Sequence, residues 1–304
     1  MSERQTAIPA QVISWPKLLV GVLVTTVLSL SVHVVMLQNF HVPYPDKLQR
    51  SGWPAYPDWF CITLAIIYLY NFMRERFAGI SIVVRCLAVF VLISMVRETL
   101  FRAPIMDLAD TVSMTIYPIV KVLPKLLLLA ILACCAVASA PYSKSAWRKW
   151  TMALILSAVV FWFCKPVIDT IFGQILKSIS YLDSPVSYQP PYDYHIEIPA
   201  YLTFLEPVIA SFVVGILAWS QLSSRPAMRA LQLTLLILLL KGPALAPITY
   251  AFYSGLDPVT SLLSVGQFSL ESLALGVLTT ATLTLCIRRR YPDGSGPLAA
   301  DSVS

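Results

Sequence analysis

The chain has 304 residues, of which 57% are hydrophobic and 12% charged, with a formal net charge of +6 and a mean hydropathy of +0.73. Soluble proteins carry about 25% charged residues, so this chain has too little charge to clothe a water-exposed surface. A soluble enzyme or a free nucleic-acid-binding domain is thereby excluded, and the apolar residues fall in long runs rather than on one helical face.

About 20 helical residues are needed to cross a hydrocarbon core of about 30 Å, and only helices pair all their backbone groups within one segment in lipid. The expected fold is therefore all-α: a polytopic integral membrane bundle of about eight transmembrane helices. In chain order the runs are Leu18–Leu37, Trp59–Phe72, Gly79–Val96, Ile119–Ala140, Thr151–Phe172, Leu202–Leu222, Ala230–Ala251 and Leu262–Ile287. The second is short and is expected to extend into its flanks. Between the third and fourth, Phe101–Tyr117 holds Asp107 and Asp110 among apolar residues and reads as a surface-lying or re-entrant helix. The first run is longer than a signal-peptide core and no small-residue cleavage site follows it, so it is expected to be retained. Residues 1–290 are expected to form one transmembrane domain, and 291–304, rich in Pro, Gly, Ser and Asp, a disordered cytoplasmic tail.

Lys and Arg collect in cytoplasmic loops. With the N-terminus inside, twelve of the 22 basic residues fall on the inner side, among them Arg74, Arg76, Arg148, Lys149, Arg225 and Arg229, against five outside and five within spans. Of the 16 acids, nine fall outside and four inside. Both termini are thus expected in the cytoplasm, with the chain in a bacterial cytoplasmic (inner) membrane. The basic balance is mostly topological, and no nucleic-acid partner is needed to explain it; lipid is the expected surrounding, with other membrane subunits as further partners.

The six cysteines lie in or at the edges of spans, with no CxxC pair and no Cys–His cluster of metal-ligand spacing; packing is their expected role. No metal site is expected, and no cofactor is indicated. The serine-elbow, HExxH and Walker signatures are absent.

Chemistry is instead expected where charge enters the membrane, because an ionisable side chain at a helix centre costs roughly 2.5–3.5 kcal/mol. At about 1.5 Å per residue, Lys241 and Glu271 fall near the midplane, and His33, Lys121, Lys125, Lys165, Asp169 and Glu206 lie further out. Three of these charges adjoin helix breakers, in Cys164-Lys165-Pro166, Leu205-Glu206-Pro207 and Lys241-Gly242-Pro243. Proline removes a backbone donor, and the opened backbone either marks an ordinary kink or lines a wet cavity. Lys165 and Asp169 are spaced to pair along one helix. Glu271 has no cation of its own helix at i±3 or i±4, so Lys241 is its expected partner from another span. An outer segment, Tyr192-Asp193-Tyr194-His195-Ile196-Glu197, would place Asp193, His195 and Glu197 on one face if extended, either as a weak metal or proton site or as a solvated acidic loop.

These features predict a polar site in the outer half of the bilayer, with His33, Lys125, Lys165, Asp169, Glu206, Lys241 and Glu271 as its substrate-binding residues and a small anionic or lipid-linked molecule as its guest. Three functions compete. The first is a small transporter or permease. The second is an intramembrane enzyme acting from the outer face on a lipid-linked or envelope substrate, with Lys121, Lys125, Lys165 and Arg97 holding an anionic head group and His33, His195 or Glu206 moving protons. The third is a non-catalytic assembly subunit.

Overall fold

A computed structural model describes residues 11–44, 52–111, 116–183, 192–253 and 257–289. The expected tail, 291–304, lies outside the described residues, as do Lys47 and Arg50. Among the described residues the chain is all-α apart from one short antiparallel pair, Gln11–Ile13 against Ile287–Arg289.

The helices are α1 Trp15–Gln38, α2 Tyr56–Met73, α3 Ile82–Val96, α4 Arg102–Thr111, α5 Tyr117–Ser139, α6 Ala146–Val159, α7 Lys165–Ser178, α8 Tyr194–Thr203, α9 Leu205–Ala218, α10 Pro226–Lys241, α11 Ala246–Tyr253 and α12 Pro258–Cys286. Several start on proline at the first turn, where a missing N–H costs nothing. Asp257 caps α12 by accepting from the Thr260 N–H at 2.9 Å, and that bond holds its carboxyl below the usual carboxylate range.

Each of the three charge–proline steps coincides with an irregularity. Pro166 cannot donate to the carbonyl of Trp162, and the turn Val160–Cys164 widens to π geometry there. The helix continues, so Ala146–Ser178 runs for 33 residues. Pro207 has no N–H for the carbonyl of Thr203, and α8 gives way to α9 at Phe204. At Lys241 the helix stops: Gly242 takes φ +104° and α11 resumes at a 48° bend.

Among the described residues five helices are long and apolar enough to cross a membrane: Trp15–Gln38, Tyr117–Ser139, Ala146–Ser178, Tyr194–Ala218 and Pro258–Cys286. The bent pair α10–α11 makes a sixth, and α3 is a shorter apolar helix. The protein is thus an all-α chain compatible with membrane embedding. The second run, extended at both ends into the 18 residues of α2, forms the centre of the core: Ile66, Ile67 and Leu69 are fully buried. Large apolar residues face outward on the surrounding helices, Leu19, Leu23 and Val27 on α1 and Val83 and Leu87 on α3 among them.

The ends of the bundle follow from contacts. α1 and α12 are antiparallel: the strand pair joins the start of one to the end of the other, while the His33 ring meets Phe268 at 4.6 Å. Small residues set their approach, since a Cβ on Gly21 would run into Thr282, and one on Gly276 would lie 2.8 Å from the Thr234 Cα of α10. Exposed Trp15, Trp147 and Trp150 mark the end that holds the strand pair, and exposed Trp53, Tyr181 and Tyr253 the opposite end.

One expectation is corrected. Asp193, His195 and Glu197 do not share a strand face. Asp193 instead caps α8, accepting from the Tyr194 N–H, and its carboxyl meets His195 Nδ1 at 3.2 Å. Glu197 faces the other way and accepts from Gln38 Nε2 at 2.8 Å. Asp ahead of three helix-compatible residues is an N-cap signal, and it overrides the alternation. Among the described residues no group of His, Cys, Asp and Glu could hold a metal ion.

Candidate functional site

A cavity of about 690 Å³ opens among α1, α4, α5, α8, α12 and the turn that follows α3. Its floor reaches Glu271, about 22 Å along α12 from Cys286, and His33, about 27 Å along α1 from Trp15, at 1.5 Å per residue. The cavity therefore lies toward the end away from the strand pair.

At the floor is a connected ion network, of which Glu98, Arg102 and Glu271 line the cavity and Lys241 stands behind them. The Lys241 ammonium, carried to the end of α10, bonds both Glu98 and Glu271, the latter at 2.8 Å. These side chains are 7%, 22% and 5% exposed respectively. Glu98 also pairs with Arg102 Nε at 2.8 Å, so one carboxylate bridges two cations. Arg102 and Lys241 lie 5.1 and 5.0 Å from the centre of the buried Phe204 ring, which is placed by the α8–α9 break.

The turn carrying Glu98 is held from two sides. Glu98 has φ +59°, a left-handed conformation that side chains rarely adopt and that persists only when its surroundings impose it. Glu206 supplies part of that hold: its carboxylate accepts from the backbone N–H groups of Leu100 at 3.0 Å, Phe101 at 3.1 Å and Arg102. Arg97 supplies the rest by donating to the carbonyls of Leu240 and Lys241 at 3.3 and 3.0 Å. The two helix breaks thus meet at one polar turn.

The remaining wall is mixed. His33, Tyr44 and Phe268 form an aromatic cluster, with Tyr44 and Phe268 edge-to-face at 5.7 Å. His33 Nδ1 is buried with no hydrogen-bond partner among the described residues. On α5, Lys121 pairs with Asp107 at 3.1 Å with about half its side chain exposed, and Lys125 lies one turn on. Tyr201 of α8 bonds Ser31 at 3.0 Å.

Of the seven residues expected to share one site, His33, Lys125 and Glu271 line this cavity. Lys241 stands behind its floor through Glu271, and Glu206 buttresses the turn that forms one wall. Lys165 and Asp169 pair with each other on α7, which buries no residue, and they are not among the lining side chains. Glu98 and Arg102, central to the network, are not among the seven. The available signal is an Arg-Glu step closing an apolar run, with Arg102 four residues on at ion-pair spacing.

Comparison with known protein families, curated proteins and solved structures returns no match.

Proposed function

We propose that the chain is a small multi-spanning transporter or permease whose polar binding site is this cavity. We read α1, α2, α3, α5, α6–α7, α8–α9, α10–α11 and α12 as eight spans, with both termini cytoplasmic and the cavity in the outer half of a bacterial cytoplasmic membrane. An even span count is supported by the strand pair, which brings the start of α1 and the end of α12 to one end. Orientation is supported by the basic residues of the loops at that end.

The observation that carries the reading is the ion network at the cavity floor, set at two broken helices. A bundle needing only to pack has no use for three carboxylates and three cations at one buried turn, since burying ions is rarely stabilising against apolar packing. Interrupted helices around a polar site are how transporters expose backbone and charge to a guest. A volume of about 690 Å³ falls within the range of small-molecule sites. Lys121 and Lys125 offer charge to an anionic group, free or lipid-linked.

A second reading, an intramembrane enzyme, is favoured by His33, a cavity-lining imidazole near Glu98 whose Nδ1 has no partner among the described residues. One experiment separates the two. The purified protein is screened by thermal shift against small anionic solutes and lipid head groups, and hits are followed in proteoliposomes. Accumulation of unchanged solute, lost in Glu271→Gln, supports transport; conversion of the solute supports the enzyme. No hit that depends on Glu271 or Lys125 would sink both.

A further inference from the structure

Below the cavity floor the core is not uniformly apolar. Thr25 and Ser29 of α1, Ser211 of α9 and Thr279 of α12 are each fully buried, and none of their hydroxyls has a hydrogen-bond partner among the described residues. Thr234 of α10, against Gly276, is likewise unpartnered among the described residues, whereas other neighbouring hydroxyls behave differently. Thr26, Ser272 and Thr280 donate to the carbonyls four residues back, the usual way a membrane helix satisfies such a group. The orphaned ones are costly unless something polar reaches them.

Their positions align. The antiparallel register, with His33 at Phe268 and Gly21 at Thr282, sets Ser29 one turn below His33 and brings Thr25 level with the turn before Thr279. Gly215 of α9 meets Leu283 of α12, which puts Ser211 one turn above, at the level of Thr279. From His33 and Glu271 the hydroxyls therefore descend along α1, α9 and α12. The descent ends where Leu233 and Leu283, both fully buried, close on Gly215.

We propose that this file of hydroxyls is a water-mediated proton route leading from the cavity floor toward the strand-pair end, shut by Leu233 and Leu283. Hydroxyls can both donate and accept, so they carry a chain of waters without fixing its direction. His33 and Glu271 at the head can take up and release the proton. The charges facing them are Lys241, Glu98 and Arg102. The file has no carboxylate of its own, which disfavours a metal cation as cargo. The route deepens the transport reading and rests on it for its purpose, by giving the cavity a coupling ion.

The test needs no solute. Protein in liposomes loaded with a pH-sensitive dye is given a pH step, with potassium and valinomycin present to cancel charge build-up. Leu283→Ser should raise proton flux several-fold over wild type, and adding Thr25→Val and Thr279→Val should return it to the wild-type rate. A Leu283→Ser protein that melts as wild type does and passes no extra protons overturns the route. So does a leak that the two valines leave untouched. If Leu283→Ser does not fold, X-ray hydroxyl-radical footprinting of the wild type decides. Fully buried Leu275, on the α12 face of the file, should be modified as water-contacting leucines are, and an unmodified Leu275 overturns the route. A chain that takes up no solute but passes this test loses only the transport reading.

Discussion

Arg97 and Gly242 meet face to face: the guanidinium caps the carbonyls of Leu240 and Lys241, and the glycine leaves it room to do so. A Cβ at Gly242 would collide with Arg97 Nη1, and the φ of +104° is itself strained for any other residue. Left-handed backbone costs a non-glycine residue roughly 1–2 kcal/mol, and displacing Arg97 would leave two carbonyls at the end of α10 uncapped. Gly242→Ala is expected to lower the melting temperature in detergent by more than Gly173→Ala, whose Cβ would meet nothing within 4 Å. Equal melting of the two variants would remove the cap from this account.

Lys241 serves two carboxylates, and that asymmetry sets the order of its variants. Removing one partner of a buried pair costs about 3–5 kcal/mol because the other charge is stranded. Lys241→Met strands Glu271 and leaves Glu98 only its pair with Arg102, whereas Glu271→Gln leaves Lys241 its bond to Glu98. Folded yield and melting temperature should therefore fall further in Lys241→Met than in Glu271→Gln, and the double variant should lose less than the sum. Strict additivity would mean the pair does not interact. A simple charge swap should recover little, because a carboxylate at position 241 would face Glu98.

The Lys165–Asp169 pair is a contrast built into the same chain. Its side chains are 35% and 45% exposed, on a helix with no buried residue. Exposed pairs are worth about 0.2–1 kcal/mol, so Lys165→Gln and Asp169→Asn should each leave melting nearly unchanged and should not alter binding at the cavity. A loss comparable to that of Lys241→Met would require α7 to be covered by something else.

The division between what is legible in the sequence and what is not has a physical cause. The apolar runs are legible because a hydrocarbon solvent demands them, and the Lys241–Glu271 pair because each residue lacks a partner on its own helix. The breaks at Pro166, Pro207 and Gly242 are legible because each removes a specific backbone bond or requires a specific φ. The site's membership is less so. Depth places Lys165 and Asp169 beside the others, but depth says nothing of azimuth, and their helix presents them away from the cavity. Glu98 and Arg102 escape notice as loop charges because only the turn imposed by Glu206 and Arg97 folds them back into the cavity wall. Nothing in the spacing of Gln11–Ile13 and Ile287–Arg289 announces a strand pair between chain segments so far apart.

Helix packing offers a test independent of charge. Gly276 lies against the backbone of Thr234, so a side chain there must push α10 from α12 rather than bend a neighbour aside. Gly276→Leu is expected to cost at least the roughly 1–3 kcal/mol of an overpacked core and to loosen the Lys241–Glu271 pair about one to two turns above. Reduced yield with early melting checks the first part. An unchanged Glu271→Gln penalty in the Gly276→Leu background would show that the pair does not depend on this contact.

The topology is open to a direct test at two exposed aromatic positions. Trp147, 78% exposed at the start of α6, belongs to the end with the strand pair; Tyr181, 80% exposed beyond α7, belongs to the cavity end. With the six native cysteines replaced by alanine or serine, Trp147→Cys and Tyr181→Cys are introduced singly and cells are treated with a membrane-impermeant maleimide. The sequence expectation of twelve basic residues inside against five outside predicts that the strand-pair side faces the cytoplasm. Tyr181→Cys should therefore be labelled on intact cells, and Trp147→Cys only after permeabilisation. The reverse pattern would turn the molecule over and put the cavity on the cytoplasmic side. Labelling of both on intact cells would mean that the 33-residue helix α6–α7 does not cross the bilayer. At about 50 Å against a core of about 30 Å, that helix is long enough to cross with turns to spare, so opposite labelling of its two ends is the expected result.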